Sequence, residues 1–334
     1  MDTYKSASRK ALLRHGVGHL SNSSVKNMSE CYNKWYLNKF YNTPNINMSG
    51  GQIFHSLKEH VQKLIMHKAI EGVEITDMVQ YSERYNEAKE EILAKVDIPD
   101  LIDRFWLEEY ENILNNANEV LPDLRKFKAE FTERKHLIMN HFTLGHLDTI
   151  VNTPAIGVEL AVTWVDNVSG VEDAPPYLGY VDELWYSQDH EAYVVSDLKS
   201  HFKAPTVTGP IGADTLFQAW IYAKALLQMK EIPVDRKVIF EAKRIVCSFG
   251  KKKQEIKAYS HFFTSKGEPV NLNDPELDSR MYNKIVVAAK KIEHDIKEYA
   301  GSSYGCKSCE YVSVCDKAVI PEWSDQKDEG GSEE

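Results

Sequence analysis

Asp182, Asp197 and Lys199 are the residues of this 334-residue chain whose types and spacing point most directly to chemistry. Asp182 ends the run Gly179-Tyr-Val-Asp182. Soon after it, Ser196-Asp197-Leu198-Lys199 closes the apolar run Tyr193-Val-Val195. If both runs are strands joined by the short turn Gln188-Asp-His, the two carboxylates meet at one end of a strand pair. Two carboxylates so placed repel each other unless a cation sits between them. Hard oxygen ligands select Mg²⁺ or Mn²⁺ over Zn²⁺. Lys199 lies two residues past Asp197, so the period of two puts both side chains on one face. A lysine there can orient a water and offset charge building on a phosphoryl group. The tripeptide alone carries little weight, since Glu87–Lys89, Asp235–Lys237 and Glu255–Lys257 share it. Its plain alternative is a salt-bridged strand end.

The cysteines suggest a second site. Cys306-Lys-Ser-Cys309 followed by Cys315 forms C-x2-C-x5-C, a spacing that suits tetrahedral zinc or a [4Fe–4S] cluster. No histidine inside the segment completes a zinc finger. A fourth thiolate could come from Cys31 or Cys247. Cys247 falls inside an apolar strand and reads as a buried thiol. Five cysteines in a chain of this length argue for metal ligation or free thiols over a disulfide framework.

Helices and strands must position these groups. Ser23 and Ser24 can cap a helix over residues 25–41. Ile53, Leu57, Val61 and Ile65 recur at helical spacing and predict a helix over 52–68. Segments 76–95 and 99–118 read as amphipathic helices. After Phe127 the composition turns β-rich, predicting strands over 131–139, 143–152, 156–165, 178–186 and 192–199. A helix over 214–229, strands over 237–248 and 255–264, and a last helix over 274–299 complete the chain. A second Gly-x-x-Asp, Gly145-His-Leu-Asp148, competes with Asp182. Asp182 is preferred because its strand directly precedes that of Asp197.

Gly-x-x-Asp, then Asp-x-Lys, then Gln218-Ala-Trp-Ile-Tyr222 resembles the PD-(D/E)xK superfamily, and within it the RecB-like nucleases. The resemblance implies an α/β, restriction-endonuclease-like core: a central mixed β-sheet flanked by helices, plus a helical N-terminal part and a C-terminal iron–sulfur segment. It implies roles for Gln218 and Tyr222, four residues apart on one helical face, in supporting the lysine and substrate. Gly51-Gln-Ile-Phe-His55 matches the family's Gly-x-x-x-His, which makes His55 a metal ligand beside Asp182, Asp197 and the Leu198 carbonyl. Glu159 stands where some relatives carry a further acid. Relatives with an iron–sulfur staple, such as CRISPR-associated RecB-like exonucleases and the AddB nuclease domain, carry one cysteine before the nuclease motifs and three after. By that pattern Cys31, Cys306, Cys309 and Cys315 would hold a [4Fe–4S] cluster. Ser200-His201 departs from the family, where threonine, often followed by glycine, comes after the lysine.

The chain reads as one integrated domain with a helical part (1–125), a core (126–270) that the resemblance makes the nuclease, a C-terminal helix with the cysteines (271–320) and an acidic tail (321–334) whose charge run reads as disordered. The implied activity is a Mg²⁺- or Mn²⁺-dependent deoxyribonuclease, more an exonuclease than an endonuclease. Its substrate would be single-stranded DNA or DNA ends, in recombination, repair or phage or CRISPR DNA processing, with a recombination or helicase protein as a possible partner. A net charge of −10 does not exclude DNA, because carboxylates gather at a metal site and only local basic strips meet phosphate. Lys251, Lys252 and Lys253, with Lys243 and Arg244 upstream, form one such strip, or else a solvated hairpin turn. The first twenty residues show no apolar signal region and no run is long enough to span a bilayer, so the expected location is cytoplasmic. The rival readings are a nucleic-acid-binding module with a decayed site, and a zinc-stapled structural protein.

Overall fold

The computed structural model describes residues 46–116, 124–165, 176–202, 213–251, 253–265 and 267–283, and outside these only residues 20, 21, 31, 34, 37, 306 and 315. Helix α1 (Ile46–Ile70) begins the continuous part, followed by α2 (Met78–Leu93), α3 (Ile98–Asn116), α4 (Leu124–His141) and α5 (Leu144–Val151). Strands β1 (Ala155–Trp164), β2 (Tyr177–Ser187) and β3 (Ala192–His201) come next. Helix α6 (Ala213–Gln228) leads into β4 (Lys237–Gly250) and β5 (Lys253–Phe262). A two-stranded ribbon, β6 (Thr264–Ser265) with β7 (Glu268–Pro269), precedes a helical segment over 275–283.

Five strands form one mixed sheet in the order β1-β2-β3-β4-β5. The pairs β1–β2, β2–β3 and β4–β5 are antiparallel. β3 and β4 are parallel, which requires a crossover between them, and α6 supplies it. The two largest apolar cores flank this sheet. On one side Leu216, Trp220, Ala223 and Leu227 of α6 pack against Val162, Val181, Val195 and Phe240 of the sheet. On the other, Ile53, Leu57, Val61 and Ile65 of α1 join α2–α5 and cover Val158, Leu198, Ile245 and Ile256. The apolar period of α1 therefore faces inward, as its spacing predicts. The 275–283 segment closes over α6: Asp278 accepts from Trp220 Nε1 at 2.7 Å, and the Tyr282 ring lies edge-on to Trp220 at 5.0 Å.

Two expected strands are helices. Residues 131–139 belong to α4, where Phe127, Phe131 and Ile138 are buried along one helical stripe. Residues 143–152 are mostly α5, with Leu147, Ile150 and Val151 buried. The i, i+3, i+4 spacing of these three is helical, and the β-branched composition masked it. Thr143 caps the helix, its N–H donating to His146 Nδ1 at 3.0 Å. Helical structure thus persists to Val151. The expected helix over 25–41 is described only at Cys31, which is not helical, and at Lys34 and Leu37, which are. The expected helix over 274–299 is described only as far as residue 283. Among the described residues no helix is long and apolar enough to cross a membrane.

Candidate metal and phosphate site

Where β2 and β3 part, the acids come together. Their pairing ends at Glu183↔Ser196, so Asp182 and Asp197 are the next residues on strands that no longer bond. The Leu198 N–H turns instead to Asp182 and donates to its Oδ2 at 2.7 Å. On the other side of β2, Glu159 faces Asp182 between the pairs Val158↔Glu183 and Leu160↔Val181. Glu159 holds a φ of 52°, a left-handed backbone that costs energy for a side-chain-bearing residue.

Helix α1 contributes His55, whose Nδ1 is 3.5 Å from Asp182 Oδ2. Donor atoms of His55, Glu159 and Asp182 all lie within 4.8 Å of one another. The glycine of the His motif has a steric reason: a Cβ on Gly51 would sit 2.3 Å from Ser200 Oγ. A larger residue there would require the Ser200 hydroxyl to rotate aside as α1 passes β3 with His55. Asp148, the competing aspartate, is on helix α5 with its carboxylate 3.0 Å from Lys89 Nζ and about half exposed. It takes no part in this group.

On β3, Lys199 Nζ donates to Asp197 Oδ1 at 3.0 Å and to Gln218 Oε1 at 3.3 Å. Gln218 Nε2 donates in turn to the Tyr222 hydroxyl at 2.9 Å. Tyr222 fits over β2 because Gly179 carries no side chain; a Cβ there would lie 2.7 Å from the ring. Gly179 is therefore a packing requirement, while Gly51 marks a close approach to a side-chain hydroxyl. His55, Asp182, Asp197, Lys199, Gln218 and Tyr222 form one connected group drawn from two helices and two strands.

Charges in this group are out of balance. Burial first, and the neighbouring Asp182 carboxylate second, push Glu159 up to about 7. Burial also raises Asp197 above the ordinary carboxylate range, with Lys199 opposing and Asp182 adding to the rise. Although burial disfavours the Lys199 ammonium, Asp197 outweighs it and keeps the lysine protonated above its usual range. His55 is lowered by burial, against the pull of Asp182, and stays a neutral imidazole with a lone pair to offer. Lys199 Nζ approaches Asp197 Oδ2 at 2.8 Å but outside hydrogen-bond geometry, which leaves that buried oxygen with no hydrogen-bond donor. Three carboxylates and one neutral imidazole make a donor set of hard oxygens and one nitrogen, with the Lys199 ammonium beside them as counter-charge. A divalent cation of the Mg²⁺ or Mn²⁺ type fits it.

Some residues beside this group were not expected from the sequence. Glu183, next to Asp182, is fully buried and paired with Lys243 at 2.8 Å and Lys58 at 3.0 Å. Lys243 Nζ also donates to Thr153 Oγ1 at 2.6 Å and to the Ile150 carbonyl at 3.0 Å. Lys243, read from sequence as upstream of a basic strip, thus points into the core. The available signal was a lysine inside the apolar run Val238–Cys247. Of the strip itself, Lys251 is exposed at the β4–β5 turn and Lys253 pairs with Glu255 at 2.8 Å, while Lys252 lies outside the described residues. Cys31, Cys306 and Cys315 are half-buried, Cys309 lies outside the described residues, and Cys247 is fully buried.

A family model described as PD-(D/E)XK nuclease superfamily matches residues 19–316. No curated protein matches the chain.

Proposed function

The chain belongs to the PD-(D/E)XK nuclease superfamily, and on that premise we propose that it is a metal-dependent deoxyribonuclease acting on single-stranded DNA or DNA ends. The observation that carries this reading is the under-neutralised acid row Glu159, Asp182 and Asp197 beside the protonated Lys199. Asp182, Asp197 and the Leu198 carbonyl, with His55 and Glu159, would hold Mg²⁺ or Mn²⁺. When bound, the ion supplies Lewis acidity to a phosphodiester and makes a water more acidic.

The chain's own residues do the remaining work. Lys199, fixed between Asp197 and Gln218, holds its ammonium where it hydrogen-bonds the attacking water and a phosphoryl oxygen. The water oxygen bonds phosphorus and gives up a proton to solvent, the bond to the departing sugar oxygen breaks, and that oxygen takes a proton from solvent. No enzyme side chain becomes covalently attached. The Leu198 N–H fixes the Asp182 carboxylate, and Tyr222 fixes the Gln218 amide. Both side chains are thereby set before substrate arrives.

A four-iron cluster on Cys31, Cys306, Cys309 and Cys315 belongs to the same reading. Its support is the C-x2-C-x5-C spacing and a family match that spans all four cysteines. Iron and acid-labile sulfide in anaerobically purified protein test it, and a colourless, iron-free, well-folded protein would refute it. Exonuclease action, with a place in recombination, repair or phage or CRISPR DNA processing, and cytoplasmic location complete the proposal.

Activity is tested on end-labelled single-stranded DNA in Mn²⁺, Mg²⁺ and EDTA, with Asp197→Ala alongside. Cleavage that requires metal and is lost in the variant is expected. Cleavage that survives Asp197→Ala would refute the site.

A further inference from the structure

Beyond Lys199, the sheet carries a group of nitrogen donors that the proposed hydrolysis does not use. The parallel register sets Lys199 beside Arg244 and His201 beside Val246. The antiparallel register then sets Arg244 beside Tyr259 and Ala242, the neighbour of Asp197, beside His261. Residues paired across neighbouring strands share a face. Lys199, His201, Arg244, Tyr259 and His261 therefore look out from one side of β3, β4 and β5.

Arg244 Nε, His201 Nε2 and His261 Nδ1 are withdrawn from solvent and make no hydrogen bond among the described residues. Such atoms are almost always bonded in folded proteins, so three within one patch point to something that belongs there. The strand register sets the three on one face, and burial first, with the Arg244 guanidinium second, holds both imidazoles below their ordinary range. Lys199 also acts on His201, linking the cluster to the site. The carboxylate acting on His261 is Glu241, already bonded by Ser196 Oγ at 2.5 Å and by Trp185 Nε1 at 3.2 Å. Tyr259 stands one strand further out, 38% exposed, with its ring 6.1 Å from that of His261.

A guanidinium flanked by imidazole nitrogens suits an anion with several acceptor oxygens. We propose that Arg244, His201 and His261 form a subsite for a backbone phosphate adjoining the scissile one, with Tyr259 stacking on a base of a single-stranded segment. The inference rests on the nuclease reading and adds the substrate's path: the strand runs from Lys199 across β4 to β5. It also places the main phosphate contact on the sheet face and not on the lysines of the β4–β5 turn.

The test is fluorescence anisotropy of a labelled single-stranded oligonucleotide with the full chain in EDTA, so that neither metal nor cleavage contributes. Arg244→Gln should weaken binding roughly tenfold and lower the salt slope by about one. Arg244→Lys should keep the slope and recover part of the affinity, which damage to the fold would not do. Tyr259→Ala should weaken single-strand binding about tenfold or more and leave blunt duplex binding unchanged. A Lys251→Gln/Lys253→Gln double variant should bind like wild type. Wild-type affinity and slope in Arg244→Gln would overturn the subsite, whatever the cleavage assay shows. Absent cleavage with this binding pattern intact would remove the nuclease reading alone.

Discussion

Two buried acidic groups begin at neighbouring positions of β2 and are treated in opposite ways. Glu183 is enclosed by Lys243, Lys58 and Thr153. Burial alone would raise it, yet Lys243 and Lys58 hold it down to about 2. Asp182 stands beside Glu159 and the buried Asp197, and the ammonium hydrogen-bonded to Asp197 is Lys199. In the first group every charge has its partner within the fold. In the second, burial and mutual repulsion raise Glu159 and Asp197. Ionised groups kept from water without full compensation cost stability, and proteins retain such arrangements where a ligand completes them. The same helix serves both groups, since His55 reaches Asp182 while Lys58, one turn on, reaches Glu183. The closed group thus anchors α1 and β2 at the place where the open group needs them rigid.

The largest effect should come from breaking the closed group. Lys243→Met leaves Glu183 short of its nearest cation and should cost about 3–5 kcal/mol, read by urea unfolding. A loss below about 1 kcal/mol would mean that Lys58 alone suffices and that the contrast is weaker than drawn. Next comes pH, where the groups should move in opposite directions. Glu183 is depressed, so its contribution is present above the unfolded value of 4.5 and is lost as pH falls towards about 2. Glu159 is raised, so its contribution is present below 4.5 and is lost as pH climbs towards about 7. In chelator, Glu159→Gln should flatten the decline between those values by something on the order of 1 kcal/mol after solvent screening. The acid limb should not change. Parallel curves for variant and wild type would contradict the assignment. The smallest effect belongs to Tyr222→Phe, which removes one hydrogen bond to Gln218. It should cost about 1 kcal/mol or less and lower the cleavage rate a few-fold with binding unchanged. A loss as deep as that of Asp197→Ala would make Tyr222 a catalytic group in its own right.

The open group was the readable one. Gly-x-x-Asp, Asp-x-Lys and Gln-x-x-x-Tyr are short local patterns, and their glycines reflect contacts as specific as Gly179 beneath Tyr222. The sheet from β1 to β5 and helix α6 also followed from period and punctuation. The closed group was hidden because its members, Lys58, Thr153, Glu183 and Lys243, are scattered along the chain and meet only through tertiary packing. α4 and α5 were misread for another reason: β-branched and aromatic residues suggested strands, while the helical spacing of Leu147, Ile150 and Val151 decides for helix. The anion-seeking face of Arg244, His201 and His261 depended on the β3–β4–β5 register, which no single segment encodes.

That the open group is built to take a divalent cation is tested most directly by thermal melting of wild type and Asp197→Asn, each in EDTA and in Mn²⁺. The variant removes one buried negative charge at nearly constant shape, so in EDTA it should melt above wild type. Mn²⁺ should raise the wild-type melting temperature, as any ligand of the native state does, and should raise that of the variant far less. A variant less stable than wild type in EDTA, with equal Mn²⁺ shifts in both proteins, would contradict the account.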